Sequence, residues 1–446
     1  MSLKWPSEGT VSSQEPYPVN VVSGGMHPTR VVLTSSEDVN SSILVRPHPD
    51  YLSSFDRLRV ANPFSLADLI NIYEIDYENY ITSSVGSGYL QHLPNQSSIL
   101  ISVSGGLSGA SAVLQTKDYY RYQAGKGLFW YLTLFHNDLG YDGQKRDWGF
   151  FDSEDGIFFR LSGTYNTSSL QIVRRTSTSG VPVEPEIIPQ MSWSIDPMDG
   201  TGPSGKTLDI RNGNIYEVRR LQWLGVGDVA LYINEFPVHI MEHKGLLDVP
   251  YMKSAQLPLT WRIDNVSSSV SGSMRFECAH VGVDGGEEPS FHAHSWTMTG
   301  SISVPAAEKY LFSVRLKQFY PTGSTIKNRM MLMPLMLNVS SETKPSSIRL
   351  VWNASNITGA TFSVDPDMYS GAEIDIAGTS LTGGSTISEV FISVNTGVNL
   401  DISDLFSRFS RRMRRYNGQN DVLSILATGN AGSADIKSGL FWKEIR

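Results

Sequence analysis

A single cysteine, Cys278, stands in a chain of 446 residues. One thiol excludes an intrachain disulfide framework and any metal site built from several cysteines. Charge is scarce as well: Asp, Glu, Lys and Arg make up 18% of the chain, against roughly 25% in an ordinary soluble domain. That shortage excludes a coiled coil and a charge-rich disordered chain. No apolar run approaches the ~20 residues that cross a bilayer as a helix, so no membrane partner is expected. The opening Met1-Ser-Leu-Lys-Trp-Pro6 lacks the apolar stretch of a secretory signal. Synthesis in a cytoplasm, without covalent staples, is the expectation. The net charge of −8 argues against nucleic acid as a general partner.

Ser, Thr, Asn and 39 Gly take the place of the missing charge. These residues supply the positive-φ and side-chain-capped positions that turns need, which suits an all-β protein. With 9 Trp, 19 Tyr and 18 Phe there is ample aromatic surface to bury in a sizeable core. Residues 1–50 do not read as a compact domain, because Pro6, Pro16, Pro18, Pro28, Pro47 and Pro49 interrupt every candidate element. Only Arg30–Leu33 and Ile43–Arg46 look like short strands. An extended arm lying on a neighbouring surface is one reading, and a disordered tail is the other.

Over 51–290, short β-type runs recur every 8–15 residues, the spacing of a sandwich or barrel. Ser98–Val103, Gly127–Phe135, Leu170–Arg174, Ile215–Gln222, Val229–Ile233, Val238–Met241 and Leu259–Ile263 are such runs. Trp148–Phe151, the polar turn Asp152–Gly156 and Ile157–Leu161 predict a hairpin. The Gly-rich stretch Val283–Pro289 marks a boundary. After it, 291–446 reads as a second sandwich with one helix over Asp401–Tyr416. Asp401 or Ser403 would cap that helix, and Arg414 and Arg415 would sit at its negative end. The expected fold class is therefore all-β: two jelly-roll-like β-sandwich domains, an extended N-terminal arm and one helix near the C-terminus.

Candidate chemistry is thin. His292-Ala-His294 would place two imidazoles on one face of a strand, with Glu287, Glu288 and His280 near in sequence. Two ligands do not make a metal site, and exposed histidines are the simpler reading. Glu235, His239, Glu242 and His243 have the wrong order for H-E-x-x-H, and Pro237 opposes the helix that motif needs. Asp196–Gly200 is oxygen-rich but lacks the alternation of a calcium loop. Gly105, Gly106 and Gly109, and Gly125-Lys126-Gly127, do not form a phosphate loop. Carboxylate pairs such as Asp138 with Asp142, or Asp152 with Glu154, need geometry to give them meaning. No catalytic residue, metal ligand or cofactor site is assigned. The densest charge feature is Arg408, Arg411, Arg412, Arg414 and Arg415. Guanidinium forks recognise carboxylates bidentately, so these arginines are the candidates for docking onto an acidic partner surface.

Several phrases resemble one family. Ser54-Phe-Asp-Arg-Leu-Arg-Val-Ala-Asn-Pro-Phe-Ser-Leu66 is similar to the opening of a family of virion structural proteins of tailed bacteriophages, found also in some large DNA viruses. Members open close to F-G-R-L-R-V-S-N-P; Asp56 stands here where glycine is usual. Tyr120–Gly127, Trp148–Phe159, Leu221–Leu231, Tyr369–Asp375 and Gly383–Ile387 resemble later phrases of the same family. Pro258–Ile263 matches only in part. The resemblance implies a non-enzymatic part of a virion: a tail, fibre-base, collar or capsid-decoration protein. It implies partners among other virion proteins and copies of the chain itself, and no catalytic residues. A carbohydrate-binding receptor protein that reads a surface glycan, or a polysaccharide depolymerase of a phage tail, is the alternative.

Overall fold

The computed structural model describes residues 62–105, 108–221, 225–254, 256–267, 269–286, 291–406, 412–416 and 418–446. The expected arm over 1–50, with its two short strands, lies outside the described residues, as do Arg408 and Arg411. All strand ladders are antiparallel. One sheet has eight strands. Its order is β13 (Phe236–Met241), β12 (Val229–Ile233), β11 (Asn214–Leu221), β6 (Leu128–His136), β15 (Gly272–Val283), β4 (Ser98–Val103) and β3 (Gly88–Leu93), with β1 (Phe64–Ile70) also on β15. The facing sheet has seven, in the order β10 (Val183–Pro189), β9 (Leu170–Thr176), β8 (Gly156–Ser162), β7 (Gln144–Phe151), β14 (Leu259–Asn265), β5 (Ser111–Thr116) and β2 (Tyr80–Val85).

The core between these sheets is built from the aromatic runs. Trp148 is fully buried, stacked on Phe159 at 6.1 Å and edge-on to Tyr216 at 5.1 Å. The expected hairpin forms as β7–β8, with Trp148 opposite Phe159 and Phe151 opposite Gly156. Asp152 Oδ1 closes its turn by accepting the Glu154 and Asp155 N–H groups at 2.7 and 3.0 Å. Gly149 at φ +136° lies under Phe158 and Trp130, where a Cβ would come within 3.0 Å of the Phe158 Cα. Only glycine permits both that dihedral and that approach.

A second, separate core runs from Met298 to Trp442. One of its sheets is ordered β16 (Phe291–Thr297), β29 (Ala434–Ile445), β19 (Met331–Ser341), β25 (Thr396–Asp401), with β17 (Ile302–Val304) also on β29. The other is β22 (Ala372–Asp375), β18 (Lys309–Leu316), β28 (Leu423–Gly429), β20 (Ser346–Trp352), β24 (Ser385–Ile392). Two small ribbons pair β21 (Asn356–Thr358) with β23 (Ser380–Thr382) and β26 (Arg415–Tyr416) with β27 (Gln419–Asn420). The molecule is thus a pair of β-sandwiches. No α-helix occurs among the described residues, and no helix there is long and apolar enough to cross a membrane.

The helix expected over Asp401–Tyr416 is corrected. Strand β25 runs to Asp401, whose Oδ1 accepts the Ser403 N–H at 2.9 Å and its hydroxyl at 2.6 Å. A single 3-10 turn, Ser403–Phe406, follows and buries Phe406 against Trp352. Further on, Met413 and Leu332 exchange both N–H···O bonds at 3.0 Å, the mark of an extended pair. The reason is burial with period two. Met413 enters the second core, while Arg412 and Arg414 lie together on the other side, facing carboxylates. Tertiary pairing overrides a pattern that also reads as a capped helix.

Candidate functional site

The seven-stranded sheet alternates inward apolar and outward polar residues, as expected when one face is covered and the other open. On β5, Ala112 and Leu114 are buried while Ser111, Val113 and Gln115 face out; on β14, Trp261 and Ile263 are buried while Arg262 and Asp264 face out. On β7, Lys145 lies directly opposite Asp264, on the same outward face. The second sandwich overhangs this face with residues 318–319, 327–329, Arg415 and Gly418. Between them lies a cleft of about 780 Å³.

Arginine and lysine hold most of the carboxylates on and around this face. Arg160 forks onto Asp147 at 2.7 and 2.9 Å and onto Glu184 at 2.5 and 2.9 Å. Arg175 adds a bond to Glu184 at 2.8 Å. Partial burial of Glu184 works the other way, but the Arg160 and Arg175 hydrogen bonds prevail and bring its carboxyl down to about 2. Arg262 Nε donates to Asp264 at 2.6 Å. From the second sandwich, Arg329 reaches Asp152, and Lys327 reaches Glu154 at 2.9 Å. Burial opposes ionisation of Glu154, yet the Lys327 bond keeps its carboxyl below the usual range. Tyr119, under Arg329, is pushed up to about 12 by burial and by the Asp152 charge, so it stays a neutral phenol.

A second seam joins the sandwiches deeper in. Asp118, just beyond β5, receives Arg412 and also Arg414 Nη1 at 2.9 Å. Arg414 donates further to Asp421 at 3.2 Å and to the Glu78 carbonyl at 2.7 Å. Burial disfavours a charge here, but Asp118 and Asp421 raise the Arg414 pKa further. Trp352 Nε1 donates to Glu78 at 3.3 Å.

The arginine-rich stretch is therefore divided. Arg412 and Arg414 hold the first sandwich of their own chain, and Arg415 stands on the cleft wall. His294 is held by Asp367 at 2.6 Å and Glu444 at 3.5 Å, with the His292 ring 6.4 Å away. No group of three or more metal-ligating side chains forms among the described residues. His239 accepts the Ser194 N–H at 3.0 Å, and His243 lies 3.6 Å from Glu186. Asp196 caps the turn Met198–Ser204 through the N–H groups of both residues. Asp138 pairs with Arg146, while Asp142 accepts the Thr164 hydroxyl. Lys145, Arg262, Asp264 and Asp118 were not singled out by sequence reasoning. The alternation Trp261-Arg-Ile-Asp264 was the available signal for Arg262 and Asp264; Gln144-Lys-Arg-Asp-Trp148 carries three charges in succession and gave none for Lys145.

No family model and no curated protein sequence matches the chain. Among solved structures it is similar to a β-1,3-glucanase from Mycobacterium marinum, with 11% identity, a TM-score of 0.34, and coverage of 49% of this chain and 98% of that one. It is also similar to the carbohydrate recognition domain of Emp47p, with 8% identity, a TM-score of 0.31, and coverage of 50% and 97%. A legume lectin-like domain from Entamoeba histolytica gives 12% identity, a TM-score of 0.29, and coverage of 50% and 98%. At these scores the likeness carries no functional argument.

Proposed function

We propose that this chain is a non-enzymatic structural component of a tailed-phage virion. It assembles with copies of itself and with other virion proteins, as a tail, fibre-base, collar or capsid-decoration protein. The observation that carries the reading is a run of uncovered apolar side chains at the end of β1 and just beyond it: Ile70, Ile72, Tyr73 and Tyr77 are 63%, 48%, 89% and 60% exposed. Large apolar groups clustered in so short a run mark a surface that a neighbour covers. The family-like phrases over 54–390 point the same way.

The state of the acids supports a role without catalysis. Glycoside hydrolysis needs one carboxylic acid kept protonated, with a raised pKa, beside an ionised partner. Here arginine and lysine bonds favour the ionised form of Glu154 and Glu184, and Asp152 and Asp264 are bonded to Arg329 and Arg262. The ion-paired seams make the two sandwiches one unit, which suits a building block. Mass spectrometry of purified particles is the test. The chain is expected among the virion proteins, at a small multiple of three or six for a tail or fibre position or at several hundred copies for the shell. Its absence from infectious particles overturns the reading.

A further inference from the structure

The cleft lining carries six basic side chains, Lys145, Arg175, Arg262, Lys327, Arg329 and Arg415, against two acidic ones, Asp152 and Asp264. This local excess of cations sits in a chain whose net charge is −8. At physiological salt charges are screened beyond roughly 8 Å, so a ligand in the cleft meets the cleft's sign rather than the chain's.

Four of the six cations are already engaged. Arg175 holds Glu184, Lys327 holds Glu154, Arg329 holds Asp152, and Arg262 holds Asp264 through Nε alone. The Nη groups of Arg262 make no hydrogen bond to a described residue, and its side chain is 46% exposed. The side chains of Lys145 and Arg415 have no ion-pair or hydrogen-bond partner among the described residues. Lys145 faces Asp264 in register, yet that carboxylate is taken by Arg262. Arg415 is half-buried; burial and the nearby Arg315 charge disfavour its protonated form, and Glu373 offsets this only in part. A bound anion would relieve that cost.

The rest of the lining is neutral: amides and hydroxyls, among them Gln115, Gln318 and Asn328, with the ring of Phe319 37% exposed. Amides and hydroxyls both donate and accept, and a ring face covers an apolar one. At the centre of the floor, strands β5, β14 and β7 are each paired on both sides, so an extended peptide finds no free ladder there; β2, which brings Ser83 and Val85 to the margin, is an edge strand paired only with β5. Over the centre of the floor the ligand is read by side chains: fixed charges, many hydroxyls, and an apolar face to stack.

We propose that this cleft binds an acidic oligosaccharide, its carboxylate groups held by Lys145, Arg262 and Arg415 and its hydroxyls by the neutral amides. The inference stands whether or not the chain is carried on a particle.

The test uses the full chain in isothermal titration with four probes: a trigalacturonate, a hyaluronan hexasaccharide, the neutral maltohexaose, and a hexaglutamate peptide. One or both acidic sugars are expected to bind, with affinity falling as salt rises, and maltohexaose is expected to bind at least tenfold more weakly. Lys145→Met and Arg415→Met each weaken binding by about tenfold or more, the scale of a lost hydrogen bond to a charged group. Arg262→Gln is an independent third variant. Lys244→Ala, whose 67% exposed side chain pairs with Asp228 away from the cleft, leaves binding unchanged. Three results overturn the proposal: no binding of either acidic sugar at millimolar concentration, unaltered affinity in folded Lys145 and Arg415 variants, or hexaglutamate binding as tightly as the sugars.

Discussion

Replacing Asp118 with asparagine removes the one carboxylate that Arg412 and Arg414 share across the sandwich seam. The side chains of Asp118, Arg412 and Arg414 are 6%, 9% and 4% exposed. That burial decides the magnitude. An exposed ion pair contributes about 0–1 kcal/mol, whereas stripping one partner from a buried pair costs about 3–5 kcal/mol, because the remaining charge stays desolvated. Arg414 keeps Asp421 at 3.2 Å and the Glu78 carbonyl at 2.7 Å, so Arg412 bears most of the loss. With an unfolding entropy of about 2.1 cal/mol/K per residue over both sandwiches, about 1 kcal/mol moves the midpoint by about 1 °C, so Asp118→Asn should lower it by about 3–6 °C. Differential scanning calorimetry should also show the single transition broadening or splitting, because the lost contacts hold one sandwich to the other. The double variant Asp118→Asn with Arg412→Met should recover part of the loss, since it removes the orphaned charge as well as its partner. A midpoint within about 1 °C of the unsubstituted protein, with one sharp transition, would refute the reasoning.

Two further outcomes are expected. Trp148→Ala empties the centre of the first core, where the indole meets Phe159, Tyr216 and His136. It should cost about 3–5 kcal/mol, read as a lower urea midpoint with unchanged slope. Acid should erode stability before the carboxylates titrate. Burial lowers the His239 pKa to about 4, and burial with the Arg146 charge takes His136 well below its ordinary value. Between pH 6.5 and about 4 the unfolded chain binds protons that the folded one refuses, so stability is full above 6.5 and falls with pH, by at most about 3 kcal/mol for His239. Glu184, held down to about 2, adds its own loss between about 4.5 and 2. A melting midpoint flat from pH 7 to 4.5, or a His239→Gln variant with an unaltered slope, would count against this.

The sequence by itself determined the strands. Ser98–Val103 and Val229–Ile233 form as read, and the Trp148–Leu161 hairpin follows from two aromatic runs around a polar turn ending in glycine. These are short-range properties: period-two burial and turn chemistry act within a few residues. Arg412-Met413-Arg414 shows where local reading stops. Its alternation suits a strand, its flanking Asp401 and Ser403 suit a capped helix, and only the carboxylate opposite decides. That carboxylate, Asp118, lies 294 residues away from Arg412. The cleft was equally hidden, since its floor comes from five strands of one sandwich and its wall from loops and a two-residue strand of the other. Charge pairing and cavity shape belong to elements that meet in space, and no periodicity along the chain records which elements those are.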